Sequence, residues 1–172
     1  MLTVTAEITV SSSPEETWGA LGRRAAYLCF PGVTSRANGR GPVNHLLDLP
    51  IVDRQEQSAN LSVVRAGRNG RRERRFRLRS SLVRIAGRWR IEPDGDGVRL
   101  SVTLDYEIAP SLKGQAMNVL RSGSPLPIRT DADAIMSRAV DEFFETRFAE
   151  HAAAFCNALR AHLESGRQGE PA

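Results

Sequence analysis

The stretch from Thr130 to Leu163 limits the fold more than any other part of the chain. Val140, Phe144, Phe148, Ala152, Phe155, Leu159 and Leu163 recur there at helical spacing, the pattern of one long amphipathic helix. Ile135, Met136, Ala139 and Phe143 are expected to widen that stripe near its start. At roughly 1.5 Å per residue, about 33 residues make a rod on the order of 50 Å long. Such a rod can cross a whole small sheet.

What precedes the rod is mostly strand. Leu2, Val4, Ala6, Ile8 and Val10 alternate with Thr3, Thr5, Glu7 and Thr9, so the chain opens with a half-buried strand. Ser13 reads as a helix N-cap, Pro14 as the first helical residue and Glu16 as the closing member of a capping box. Trp18 and Leu21 give this helix an inner side. Gly22 stops it, and Ala25 to Phe30 form a second short helix ended by Pro31-Gly32. Three turn signals then divide the middle into hairpins. Asn38-Gly39 separates Val33–Ala37 from Val43–Leu49, and Asn69-Gly70 separates Leu61–Gly67 from Arg71–Arg79. Asp94-Gly95-Asp96-Gly97 separates Val83–Glu92 from Val98–Ile108. Asn-Gly and Asp-Gly supply the positive φ angles of tight hairpins. Ala109 to Arg129 holds Pro110, Gly114, Gly123, Pro125 and Pro127, which excludes one regular helix and predicts a long loop. Thr130 with Asp133 reads as the cap of the long helix.

This order of elements predicts an α+β fold. A curved antiparallel sheet of about seven strands wraps around the C-terminal helix, two short helices follow the first strand, and an apolar hollow lies between helix and sheet. A length of 172 residues, 41% hydrophobic and 26% charged, suits a single domain, expected over 1–165, with 166–172 as a disordered polar tail. No apolar run is long enough to span a membrane, and the first residues do not read as a signal peptide. Cys29 and Cys156 are too few for a disulfide framework or a zinc site and read as small buried hydrophobes in a cytoplasmic protein.

Chemistry-bearing groups are sparse. The segment from Arg65 to Arg90 is dense in arginine and contains one acidic residue, Glu73. Arginines alternate with Phe76, Leu78, Trp89 and Ile91, so they fall on the solvent face of strands, where they keep sheet edges from pairing. A second reading is peripheral contact with an acidic protein or membrane surface. No aromatic side chains project among the arginines to stack on bases, so no nucleic acid is expected. On the inward side, His45 shares a face with Val43, Leu47 and Leu49, and Tyr106 lies in the apolar row Leu100, Val102, Leu104, Ile108. Arg65 falls inward if Leu61 and Val63 do, and Trp89 offers a flat wall. A mostly apolar pocket with a few fixed polar groups is a small-molecule site. No nucleophile elbow, phosphate-binding loop or zinc-binding histidine pair is present. His151 and His162 stand about 16 Å apart on a helix, too far to share a metal. Neither a metal nor a cofactor is expected.

Ser13-Pro14-Glu15-Glu16-Thr17-Trp18 with Ala20-Leu21, and Cys29-Phe30-Pro31-Gly32, resemble the opening of the START superfamily, also called SRPBCC or the birch-pollen-allergen-like helix-grip fold. Val140 to Glu150 is similar to the terminal helix of that superfamily's carbon monoxide dehydrogenase branch, from which the arginine-rich middle and the longer 109–129 loop depart. The resemblance implies a cavity between sheet and terminal helix that holds a lipid, quinone, sterol or polyketide-like molecule. The function expected from it is binding, carriage or sequestration of such a hydrophobic or aromatic ligand; the alternative is an enzyme of polyketide cyclase or aromatase type. Met136, Ala139, Val140 and Phe143 would form one wall, with Trp89, Leu104 and Tyr106 opposite. His45 would orient a polar substituent, and the Pro/Gly-rich loop would gate access. No catalytic motif carries over residue by residue. In the alternative, His45 or Tyr106 would move protons.

Overall fold

The computed structural model describes residues 1–35, 42–49, 52–66, 73–123 and 132–165. For 47–49, 52–56, 64–66, 73, 123 and 132 only the backbone is described. The strands are β1 (Leu2–Val10), β2 (Val33–Ser35), β3 (Val43–Leu49), β4 (Val52–Ala66), β5 (Glu73–Arg79), β6 (Val83–Asp94) and β7 (Gly97–Ile108). The helices are α1 (Pro14–Ala20), a 3₁₀ helix (Arg24–Cys29), α2 (Pro110–Gly123) and α3 (Ala132–Ser165). All strand pairs are antiparallel, in the order β1-β7-β6-β5-β4-β3-β2. The sheet curls around α3 as a helix-grip fold. The α+β reading of the sequence holds.

Local chemistry sets each element. Ser13 Oγ accepts from the Glu16 N–H at 3.2 Å, and the Glu16 carboxylate accepts from the Ser13 N–H at 3.1 Å. The capping box is therefore complete, with Pro14 at the first turn. Helix α1 has no basic residue in its last turn; buried Arg74 of β5 supplies one from across the sheet. Its guanidinium donates to the Trp18 carbonyl at 3.1 Å and lies 4.2 Å from the Trp18 ring centroid, which suits the negative helix end. Strand parity predicts this inward arginine: Phe76 and Leu78 point inward, so Arg74 does too. Gly95 takes φ +59° in the two-residue turn joining Asp94 to Gly97, as the Asp-Gly signal requires. The Asn38-Gly39 and Asn69-Gly70 turns and the Thr130 cap lie outside the described residues.

Two elements differ from the sequence reading. Strand β4 begins at Val52 rather than near Leu61, because its first half is polar and shows no apolar alternation although its backbone pairs with β3. The 109–129 segment is not one loop: a regular helix runs from Pro110 to Gly123. Pro110 is harmless at a first turn. The cost of Gly114 in the interior, on the order of 1 kcal/mol, is offset by burial of Leu112 and Ala116. Helix α2 packs against α3 and reaches β4. Lys113 pairs with Asp141 and Arg121 with Asp133, both at 2.6 Å. Each partner shifts by eight residues, in opposite senses, so α2 and α3 are an antiparallel hairpin.

The core lies between the inward sheet face and the α3 stripe. Val140, Phe144, Phe148, Ala152, Phe155 and Leu159 are all buried there. Gly87 of β6 is opposite Phe76 of β5, and the Phe76 ring occupies the space a Cβ at Gly87 would fill. That ring is buried and also touches Tyr27, with centroids 4.6 Å apart, so it has little room to yield. Gly87→Ala is expected to destabilise the fold by about 2 kcal/mol through overpacking. Urea unfolding checks this, and an unchanged midpoint would refute the packing described.

Candidate functional site

The interior holds several polar groups inside an apolar shell. His45 of β3 is 1% exposed, and neither ring nitrogen has a hydrogen-bond partner among the described residues. Its ring lies edge-on to Phe30, centroids 6.3 Å apart. His151 of α3 approaches the same Phe30 at 6.0 Å and Phe148 at 6.5 Å. Two histidines from opposite ends of the chain thus flank one phenylalanine, at the seam where the β2–β3 side of the sheet meets α3. The local backbone brings this about. Phe30 leads into Pro31-Gly32, Gly32 takes φ +75°, and the Gly32 carbonyl accepts from the Leu46 N–H at 2.8 Å. Val33 and His45 are in register, so the turn carries the β2–β3 edge up beside the 3₁₀ helix.

Burial dominates the electrostatics of this seam. Removal from water, with a smaller effect of His151, lowers His45 to about 4. His151 is also lowered by burial, with Glu150 acting weakly the other way. Both rings are therefore neutral at neutral pH. Tyr106 is fully buried with its hydroxyl unpartnered among the described residues. Burial, with Cys156 adding to it, raises that hydroxyl well above the usual range, so it stays protonated. Cys156 itself is pushed up to about 11 by burial, opposed by Arg160. Tyr27 donates to the Leu21 carbonyl at 2.7 Å. Burial raises the Tyr27 hydroxyl well above its usual range, and the Trp89 indole N–H has no hydrogen-bond partner among the described residues.

A separate cleft of about 290 Å³ opens where β1, β7, α2 and α3 meet, lined by Leu2, Tyr106, Ile108, Lys113, Asp141 and Glu145 among others. Its charged rim includes the Lys113–Asp141 pair. Among the described residues no group of His, Cys, Asp or Glu could hold a metal ion, and no helix is long and apolar enough to cross a membrane.

A profile for the family described as polyketide cyclase / dehydrase and lipid transport matches residues 1–164. The chain belongs to that family. Solved structures agree in fold. A START superfamily protein from Mycobacterium smegmatis is similar at 18% identity and TM-score 0.52, over 95% of this chain and 97% of that one. A conserved protein from Geobacillus kaustophilus is similar at 12% identity and TM-score 0.53, over 95% and 96%. The di-domain ARO/CYC protein BexL, from the BE-7585A biosynthetic pathway, is similar at 14% identity and TM-score 0.55, over 99% of this chain and 51% of that one. Identities this low speak to fold alone. No curated protein matches the chain in sequence.

Within this polyketide cyclase / dehydrase and lipid transport fold, the residues singled out in the sequence fall into three groups. His45, Trp89, Leu104, Tyr106 and Val140 are buried, and Met136 and Phe143 are partly so. Ala139 is exposed, as is Ile135 at 63%. This corrects the expectation that they widen the inner stripe. Ala139 precedes Phe148 by nine residues, two and a half turns at about 3.6 residues each, and so faces the opposite way. Arg65 is in register with Arg74, but its side chain lies outside the described residues. Tyr106 does not face Val140 and Phe143 across a hollow: its ring stacks on Phe148, 4.1 Å between centroids and 12° between planes. On that line, sheet and helix touch directly. The sequence reading did not bring His151 and Phe30 together with His45, as the structure does. The signal for His151 was its spacing of three from Phe148 and four from Phe155, both inward.

The buried histidines make stability depend on pH. Between pH 6.5 and about 4 the unfolded chain holds a proton on His45 that the folded chain refuses, so stability falls as pH falls through that window. The loss attributable to His45 is about 3 kcal/mol, and His151 acts in the same sense. His45→Leu is expected to remove most of this slope while leaving the fold at neutral pH as stable or more so. Urea midpoints across the window check it; an identical slope in the variant would refute it.

Proposed function

We propose that this protein binds an apolar, aromatic small molecule in its interior, with His45 as the polar contact that orients it. The observation that carries this reading is the His45 ring: nearly fully buried, edge-on to Phe30, and without a partner for either nitrogen among the described residues. An unpartnered buried polar group costs about 1–3 kcal/mol. A hydroxyl or carbonyl on a bound ring would satisfy it, and the rings of Phe30, Phe148 and Phe155 supply the apolar contact. A neutral histidine can donate to a carbonyl or accept from a phenol, which suits quinone-like and phenolic molecules. Membership of a polyketide cyclase / dehydrase and lipid transport family supports a hydrophobic ligand.

Helix α2 is the wall that yields. It lies between α3 and β4 and is fastened by two ion pairs whose partners are all at least two-fifths exposed; each contributes little. Leu112 and Ala116 hold it by a modest apolar contact.

Cyclisation chemistry in the same interior is the second reading, supported by the family description. The electrostatics support binding more strongly. A histidine lowered to about 4 is a weak base at neutral pH, and a tyrosine raised by burial is a hydrogen-bond donor rather than a proton source.

Equilibrium dialysis with naphthol and with naphthalene tests the role of His45. The protein is expected to prefer naphthol by about tenfold. Folded His45→Leu should bind the two alike while retaining naphthalene. Binding of neither probe, or an unaltered preference in the variant, would overturn the proposal.

A further inference from the structure

The outward face of the two middle strands carries an array of arginines that the interior site does not use. Strands β5 and β6 are fourth and third from the β1 edge of a seven-stranded sheet. Arg75, Arg77 and Arg79 on β5, and Arg84, Arg88 and Arg90 on β6, all point to solvent. Register sets Arg75 opposite Arg88 and Arg79 opposite Arg84, with Arg77 opposite Ala86 between them. Like charges directly opposite across strands are destabilising. Protection of a sheet edge does not account for them, because neither strand is an edge. That corrects the role the sequence suggests.

Among the described residues Arg77, Arg79, Arg88 and Arg90 have no ion pair, while Arg84 reaches Glu107 at 3.4 Å. Neighbours lie about 4.8 Å apart across strands and about 6.7 Å apart along them, so the guanidinium groups form a compact field. On its β7 side the field ends at an acidic rim. Glu107, Asp105, Glu92, Asp94 and Glu7 all belong to β1, β6 and β7 beside it. Thr3 holds Asp105 at 2.8 Å, Ser101 holds Glu7 at 3.1 Å and Arg99 holds Asp94 at 3.1 Å. On the β4 side the neighbours are Asn60 and Ser62, exposed and uncharged.

We infer that this field is a docking surface for an acidic protein segment, a helix or strand bearing closely spaced carboxylates that lies along β5 and β6. Three features select that occupant. Guanidinium groups pair with carboxylates through two parallel hydrogen bonds. The acidic rim repels any broad anionic sheet or long polyphosphate laid across the face, but a narrow segment on the two strands avoids it. The face has no apolar anchor for a bilayer: the exposed large hydrophobics among the described residues are Met1, Val119 and Ile135, none on β5 or β6. Nor has it an aromatic side chain for a base to stack on, since Phe76 and Trp89 point inward. The inference is independent of the interior ligand; either can fail without the other.

The test uses the full chain with a short labelled poly-glutamate peptide, vesicles of equimolar phosphatidylcholine and phosphatidylglycerol, and a short DNA duplex, each at low and physiological salt. The peptide is expected to bind most tightly, with affinity falling as salt rises. Arg88→Glu should weaken it by about tenfold, a 1.4 kcal/mol change, whereas Arg138→Glu, the same charge reversal on exposed α3, should change it by less than about twofold. Equal losses in the two variants, tighter binding of vesicles or duplex, or no binding of any probe would overturn the inference. A second measurement reads the cost of the field. Arg88→Thr thins the positive field beside Arg77 and Arg90 and should raise the thermal midpoint at low salt by about 1–3 °C, a gain that high salt abolishes. A lowered midpoint would show the arginines to be structural and would equally overturn it.

Discussion

The stacking of Phe148 on Tyr106, with Phe155 set among Phe30, Phe76 and Trp89, joins α3 to the curled sheet. Everything else in the molecule is arranged around that junction. A single sheet face and a single helix stripe are each unstable in water alone, and burying them against one another is the main favourable term. Because the sheet curls, the rings come from β5, β6, β7, the residue that caps the 3₁₀ helix and α3 at once. At the far edge, β2–β3, Phe30 stands between His45 of β3 and His151 of α3. This edge is where apolar packing gives way to polar groups.

That change of character gives the family assignment its physical content. The chain belongs to a polyketide cyclase / dehydrase and lipid transport family, and the ligand proposed above would sit in the interior of the fold. Around His45, His151 and Tyr106 the interior offers neutral, desolvated hydrogen-bonding groups rather than charges. A carboxylate or ammonium ligand entering such surroundings would lose hydration without gaining an opposite charge. An aromatic ligand with one or two oxygen atoms would lose little and gain a partner for His45. The same desolvation makes the groups poor at moving protons.

Outside and inside are organised by opposite rules on the same strands. On β5 and β6 the inward residues are mainly aromatic and aliphatic, with Arg74 among them, and most of the exposed residues between them are arginines. The inward set is explained by packing. The outward set places Arg75 opposite Arg88 and Arg79 opposite Arg84, an arrangement that packing does not require and that an anionic partner, as inferred above, would account for.

Much of this was legible in the residues because strands and helices have fixed periods. Parity placed Tyr106, Leu104, His45 and Trp89 inward. Helical spacing placed Val140, Phe144, Phe148 and Phe155 on one face, and applied strictly would have excluded Ala139. Capping and turn chemistry marked α1 and the β6–β7 hairpin. Periodicity could not reveal the first half of β4, whose polar residues are held by backbone pairing, or α2, whose glycine is tolerated only because α3 and β4 receive its apolar side. By itself, then, the sequence determined which face of each element is buried, and hence the α+β helix-grip fold. Only the tertiary structure decided that His45 meets His151 across Phe30 and that Phe148 closes on Tyr106. Those contacts join residues about a hundred or about forty positions apart, and their meeting depends on the curl of the sheet, which no local period encodes.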